Sequence, residues 1–176
     1  MIVLLPYAPG RDAEQDRDNH WPTRAAIVAS YPTRLFTPSG ENGYADAILD
    51  AAVLGEDLMI VEGDIEPAAG IAEEFNRCPY AACTSPYILR GGSTSLIDPV
   101  TRVALPITPD AADGRYLQAI SGLGCVRLRS YILEWLDPDA IRGPWGGLDE
   151  RLSREILRLA LGWHVHRPVQ KHWGRP

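Results

Sequence analysis

Residues 44–64 read YADAILDAAVLGEDLMIVEGD, and this stretch predicts a helix followed by a buried strand. Apolar residues recur at four-residue spacing over 44–53, which marks one face of a helix. Gly55 ends that pattern, and the short apolar run at 58–61 is typical of a parallel strand buried on both faces. An acidic triplet, Glu62-Gly63-Asp64, follows the strand directly.

The preceding residues repeat this alternation. The apolar run Ile2 to Leu5 predicts a first strand, and a second is expected around Arg34 to Thr37. Helical composition between them follows Pro22, a good first-turn residue, and Pro67 permits another helix after the third strand. This β-α-β-α-β-α order favours a mostly parallel sheet with right-handed crossovers, and hence an α/β fold.

The later residues are less regular. Residues 79–118 are rich in Pro, Gly and Thr and predict strands and a long loop, after which Gly122 to Val126 leads into a strand. Apolar residues at helical spacing follow Asp149 and predict a helix, with Gly162 expected as its C-terminal cap. A last strand is expected from His164 to Val169.

Length and composition limit the class of protein. With 176 residues, 45% hydrophobic and 23% charged, the chain is expected to form one domain over residues 1–176. A net charge of −6 argues against a general nucleic-acid binder. No apolar run approaches the roughly 20 residues of a membrane span, and no secretory signal is evident, so a cytoplasmic location is expected. P-loop, GxSxG, HExxH and GxGxxG motifs are absent.

The chain has an odd number of cysteines, three. Cys78, Cys83 and Cys125 show no CxxC spacing. They are therefore expected to be reduced, buried thiols rather than a disulfide framework or a zinc knuckle.

The acidic triplet is the strongest candidate for chemistry. Ligands bind at the carboxyl ends of parallel strands, and Glu62 and Asp64 can converge on one hard cation across the flexible Gly63. Such a cation can hold a diphosphate. The alternative for this acidic pair is a solvated turn.

The segment from Asn42-Gly43-Tyr44 to Glu62-Gly63-Asp64 resembles the part of GT-A glycosyltransferases that delivers the metal-binding DxD motif, with Glu in place of the first Asp. The resemblance implies that Asp64 is the main metal ligand. Gly146-Gly147-Leu148-Asp149-Glu150 resembles the family's late acidic motif, which implies that Asp149 is the catalytic base. A helix N-terminus with favourable acidic residues is the alternative there.

The resemblance also extends to histidines and to the donor site. The end of the GT-A core often supplies a metal-binding His, which implies His172 first and His166 second, although either could be structural. Pro6, Tyr7 and Arg11, after the first strand, are implied to bind the nucleotide sugar. Gly124 would lie beside the donor sugar, or serve only as a turn into a strand.

Taken together, these motifs resemble a small family 2 glycosyltransferase with a GT-A-like, Rossmann-like three-layer sandwich. The implied activity depends on Mn²⁺ or Mg²⁺ and moves a sugar from a nucleoside-diphosphate sugar to an acceptor hydroxyl, with inversion. The acceptor stays open among a glycan, a small molecule, a protein and a modified nucleobase. A nucleotidyltransferase-like metal enzyme and a non-catalytic nucleotide-sugar-binding module are the alternatives.

Overall fold

The computed structural model describes residues 1–6, 22–36, 39–89, 92–106, 115–144, 146–167, 169 and 171–172. The strands are β1 Ile2–Pro6, β2 Thr33–Phe36, β3 Leu58–Val61, β4 Ile65–Glu66, β5 Ala82–Thr84, β6 Leu96–Ile97, β7 Arg115–Leu117, β8 Ile120–Ser121, β9 Cys125–Leu128, β10 Trp163–Val165 and β11 Lys171–His172. The helices are α1 Pro22–Ser30, α2 Gly43–Val53, α3 Ile71–Arg77, α4 Ser130–Leu133, α5 Pro138–Ile141 and α6 Leu148–Arg158.

The central sheet has seven strands within the described residues, in the order β2-β1-β3-β9-β5-β10-β7. The first three are parallel, as the alternating pattern predicted. Strand β9 runs antiparallel to both of its neighbours, β5 and β10 are parallel, and β7 is antiparallel at the edge. Five strands therefore share one direction, and the sheet is mostly parallel.

Helices cover both faces of this sheet. Strand β3 shows the division, because Leu58 and Ile60 join one core cluster while Met59 and Val61 join the other. Helices α2 and α6 pack on the first face, and α1 and α3 pack on the second. The predicted three-layer α/β sandwich is confirmed. Among the described helices, none has the length and apolar character that crossing a membrane requires.

Two details of the C-terminal part differ from the sequence predictions. Helix α6 ends at Arg158, before Gly162. Ala160 adopts a left-handed φ of 57°, and Leu161 N–H bonds to the Ile156 carbonyl, so Ala160 rather than Gly162 provides the left-handed C-terminal cap. The expected strand at 164–169 is the shorter β10, followed by the separate β11.

Candidate active site

The acidic triplet forms a turn between β3 and β4, here called the acidic turn (Glu62–Asp64). Its first residue accepts a hydrogen bond on its carbonyl from Ile65 N–H at 3.1 Å. The Glu62 N–H donates to the Gly124 carbonyl at 2.9 Å, which ties the acidic turn to the glycine-containing segment before β9. The acidic turn therefore stands at the carboxyl end of a central strand, where open α/β sheets bind ligands.

The carboxylates of Glu62, Asp64 and Asp149 all act electrostatically on one buried tyrosine, Tyr87. The pKa of Tyr87 is raised first by burial and then by the negative charges of these three side chains. Burial, Glu62 and, more weakly, Asp149 also raise the pKa of Tyr44 well above its ordinary value. The end of β3 and the start of α6 thus contribute to a single acidic region.

Tyr44 connects that region to helix α2. Its hydroxyl donates to Oε1 of Glu62 at 3.3 Å. The ring is buried in the core, and Phe36 packs edge-on against it with 5.3 Å between the ring centroids. A core helix therefore helps to position the first carboxylate of the acidic turn.

Asp149 lies in the first turn of α6, where Gly147 is the N-cap residue and no side chain caps the helix. Burial is the main cause that raises the pKa of Asp149. Its neighbour Glu150 accepts hydrogen bonds from Arg102 at 2.8 Å and Arg154 at 2.7 Å, which lower the pKa of Glu150 to about 2. The two adjacent carboxylates therefore differ, because Glu150 is an ion-paired anion and Asp149 has a raised proton affinity.

A groove of about 250 Å³ opens beside Asp149. It brings together the first turn of α6, the segment before β9 and the loop residue Arg102, and its lining includes Tyr87, Ser95, Arg102, Gly122, Gly147 and Asp149. Tyr87 lines this groove, and the carboxylates of the acidic turn raise the pKa of the same hydroxyl.

Gly124 is required by packing. A Cβ at this position would lie 2.7 Å from Cε1 of Tyr87 and 2.9 Å from Cγ1 of Ile65, both closer than carbon atoms approach. Gly122 is equally crowded, with its Cβ position 2.3 Å from the Tyr87 hydroxyl. The two glycines allow the tyrosine ring to lie directly on the backbone.

The strand pairing places the backbone of His172 near the acidic turn. Strand β11 pairs antiparallel with β4, so that His172 lies opposite Ile65 and Lys171 opposite Glu66. Ile65 directly follows Asp64 in the chain. Of the predicted donor-site residues, Pro6 ends β1, a parallel neighbour of β3, whereas Tyr7 and Arg11 lie outside the described residues.

Two polar residues support this region from helix α1 and strand β4. Nη1 of Arg24 donates to the Gly63 carbonyl at 2.6 Å. Oε1 of the buried Glu66 accepts from the Thr23 N–H at 2.8 Å, at the start of α1. Both contacts span about forty residues of chain, so no local pattern could have indicated them.

The ring of His166 belongs to a different, buried cluster. Cys78, Cys83, His164 and His166, here called the Cys/His group, each offer a ligand atom, and these atoms lie within 4.8 Å of one another. Burial and then the neighbouring His164 lower the pKa of His166 to about 4, so its ring is neutral at pH 7. All three cysteines are buried and none forms a disulfide, as expected. The Cys/His group could hold a metal, although its donor atoms differ from the carboxylates that Mn²⁺ and Mg²⁺ prefer.

Comparisons by sequence find no matching family model and no matching curated protein. Among solved structures, the crystal structure of A197 from STIV is 12% identical and superposes with a TM-score of 0.68, covering 99% of this chain and 85% of that chain. A Bacillus anthracis protein described as a glucose-1-phosphate thymidylyltransferase, in complex with a sucrose, is also 12% identical, with a TM-score of 0.48 over 92% of this chain and 65% of that chain. The likeness to A197 shows a shared fold.

Proposed function

We infer that this protein is a metal-dependent glycosyltransferase that moves a sugar from a nucleoside-diphosphate sugar to an acceptor hydroxyl. The observation that carries this inference is that Glu62, Asp64 and Asp149 all act electrostatically on Tyr87, which lines a groove together with Asp149. Two of these carboxylates follow β3 at the ligand-binding edge of the sheet, and the third begins α6. The shared effect of these carboxylates on Tyr87 supports the proposal that the motifs resembling GT-A enzymes form one site.

The donor atoms of the acidic turn suit a hard divalent cation. Glu62 and Asp64 would hold Mn²⁺ or Mg²⁺ through carboxylate oxygens, which both ions accept. Strand pairing next to Asp64 supports His172 as a third ligand. When bound, the ion would neutralise charge on the departing nucleoside diphosphate. His166 is left out of this metal site because its ring lies in the Cys/His group.

Asp149 is the candidate base. A general base works best when its pKa lies close to the working pH, and burial moves the pKa of Asp149 upward from its ordinary acidic range. It lines the groove, where an acceptor hydroxyl could give up its proton to this carboxylate. Direct attack of that hydroxyl on the sugar would invert the anomeric centre.

The donor is expected along the carboxyl edge of the sheet. Pro6, Tyr7 and Arg11 would bind the nucleotide, since β1 and β3 are adjacent and parallel. Gly124 would lie beside the donor sugar, because its carbonyl accepts a hydrogen bond from Glu62 N–H at the start of the acidic turn. Arg24, held on the Gly63 carbonyl, adds a positive charge next to the acidic turn.

A donor screen tests this function. The thermal midpoint is measured with UDP, GDP and their sugar conjugates, with and without Mn²⁺, and the products of each conjugate are identified. We expect a shift that needs the metal, and slow release of nucleoside diphosphate. Release of pyrophosphate would instead indicate a nucleotidyltransferase. Metal-dependent binding without turnover of any donor would indicate a binding module.

Two variants assign the roles. Asp64→Asn should abolish the metal-dependent shift, whereas Asp50→Asn, on the exposed face of α2, should keep it. Asp149→Asn should retain donor binding and lower turnover by about 10²–10⁴-fold, the usual contribution of a general base. Unchanged turnover in Asp149→Asn would remove the base from this mechanism.

A further inference from the structure

The Cys/His group joins three elements of the fold on the second face of the sheet. Cys78 is the C-cap residue of α3 and Cys83 lies in β5. His164 lies in β10, and His166 follows that strand directly. All four side chains are buried.

The donor atoms of these side chains occupy one small volume. Sγ of Cys78 lies 3.1 Å from Nδ1 of His164, and that nitrogen lies 3.0 Å from Nε2 of His166. The ligand atoms of a tetrahedral zinc ion lie about 3.3–3.8 Å apart, given zinc–nitrogen and zinc–sulfur bonds of about 2.0–2.3 Å. Both of these pairs in the protein are slightly closer than this range, and all four donor atoms lie within 4.8 Å of one another, so small shifts would place them around one ion. Two sulfurs and two imidazole nitrogens are the donor set of structural zinc sites.

A buried arginine lies against the Cys/His group. Nη2 of Arg127 donates to Sγ of Cys83 at 3.1 Å and to the Cys78 carbonyl at 2.9 Å. The guanidinium is fully buried, and its hydrogen bonds within the described residues go to backbone carbonyls and this sulfur, with no carboxylate among them. Arg127 therefore places a positive charge in contact with the sulfur of one proposed ligand and ties the backbone of the other.

The histidine rings are held in place by their surroundings. Nε2 of His166 faces the Cys/His group, while its other nitrogen, Nδ1, lies 3.7 Å from Oε2 of Glu74. Tyr80 stacks on His164 with 4.3 Å between ring centroids, and Phe75 packs edge-on against His166. A carboxylate behind the ligating histidine is a common outer partner of zinc sites.

We propose that Cys78, Cys83, His164 and His166 form a structural zinc site that fastens the end of α3 to β5 and β10. Four protein ligands and complete burial leave no position open for a substrate, so the site stabilises the fold and does not act on a ligand. This zinc site is separate from the carboxylate site of the acidic turn and does not depend on its function.

Metal analysis of the full-length protein tests the site. After purification without added metal and dialysis, we expect close to one zinc ion per chain. Cys83→Ser and His166→Ala should each lose most of that zinc, whereas Cys125→Ser, which changes a buried cysteine outside the Cys/His group, should retain it. Asp64→Asn should also retain it, which separates this site from the acidic turn. Wild-type protein without zinc, or equal zinc in all variants, would overturn the proposal.

A second measurement serves if the variants fail to fold. Wild-type protein is stripped with a chelator and reloaded with Co²⁺, and we expect the thiolate-to-cobalt absorption of a tetrahedral site together with a lower thermal midpoint of the stripped form. Absence of that absorption would contradict the site. A disulfide between Cys78 and Cys83 would also contradict the site. Intact mass spectrometry would detect it as the loss of the two thiol hydrogens.

Discussion

The hydroxyl of Tyr44 lies 3.3 Å from Oε1 of Glu62, which links the buried face of helix α2 to the acidic turn. The tyrosine is 2% exposed, so its hydroxyl has little access to water. The orientation of a proposed metal ligand therefore depends on the packing of a core helix. A mutation in that helix should affect the site without touching a ligand.

Tyr44→Phe removes this donor and leaves the ring in place. We expect the free energy of unfolding to fall by about 1 kcal/mol, the usual contribution of one hydrogen bond, and metal-dependent nucleotide binding to weaken. Urea denaturation measures the first effect and titration calorimetry the second. Tyr131→Phe, at an exposed position in α4, is the control and should stay within about 0.5 kcal/mol of wild type.

Asp149→Asn should make the protein more stable at neutral pH. Burial raises the pKa of Asp149 in the folded state, so the stability this group contributes is fully present below its unfolded pKa of about 3.9 and is lost as the pH rises through the folded pKa. An amide carries no charge at any pH and avoids that loss. Thermal midpoints at pH 7 and pH 4 measure the gain, which should shrink at the lower pH. A less stable variant at pH 7 would contradict this account.

Gly124→Ala should overpack the site. The new Cβ would meet the Tyr87 ring at 2.7 Å and Ile65 at 2.9 Å, and both neighbours are buried. We expect a loss of about 1–3 kcal/mol in the free energy of unfolding. The control is Gly146→Ala, where no atom lies within 4 Å of the added methyl group. Equal stability of the two variants would show that the Tyr87 ring moves aside freely.

Trp163→Ala should be among the most destabilising single changes. The indole is fully buried in β10, and its Nε1–H donates to Oγ of Ser153 at 3.3 Å. Truncation leaves a large cavity and an expected cost of about 3–5 kcal/mol, measured by chemical denaturation. Trp135→Ala, at an exposed position, provides the matched control and should cost less than about 1 kcal/mol.

The parts of the fold that were predicted depend on local pattern. The apolar run 58–61 and the helical stripe at 44–53 show their own periodicity, so β3, α2 and their parallel order follow from the sequence. The antiparallel direction of strand β9 does not follow from the sequence, because the apolar run at 125–128 would look the same in a parallel strand. Its direction is decided by pairing with β3 and β5, which are distant in the chain.

The candidate site likewise has residues that local sequence predicts and residues that depend on tertiary packing. The placement of Glu62 and Asp64 follows from their position after a strand, which the sequence shows. The positions of Tyr87 and Arg24 depend on tertiary packing and had no local indication. The Cys/His group was also missed, because 86 residues separate Cys78 from His164 and no short spacing motif relates them.

The central position of β9 has a consequence for synthesis of the protein. A nascent chain that ends before Cys125 contains β1, β2, β3 and β5 but lacks the strand that joins β3 to β5. Both of those strands would then present unpaired backbone edges, which promote association between chains. The connection between β3 and β5 therefore waits until β9 has left the ribosome, and β10, which pairs with β5 and β7, follows later still. The interval before β9 emerges is when chaperones matter most.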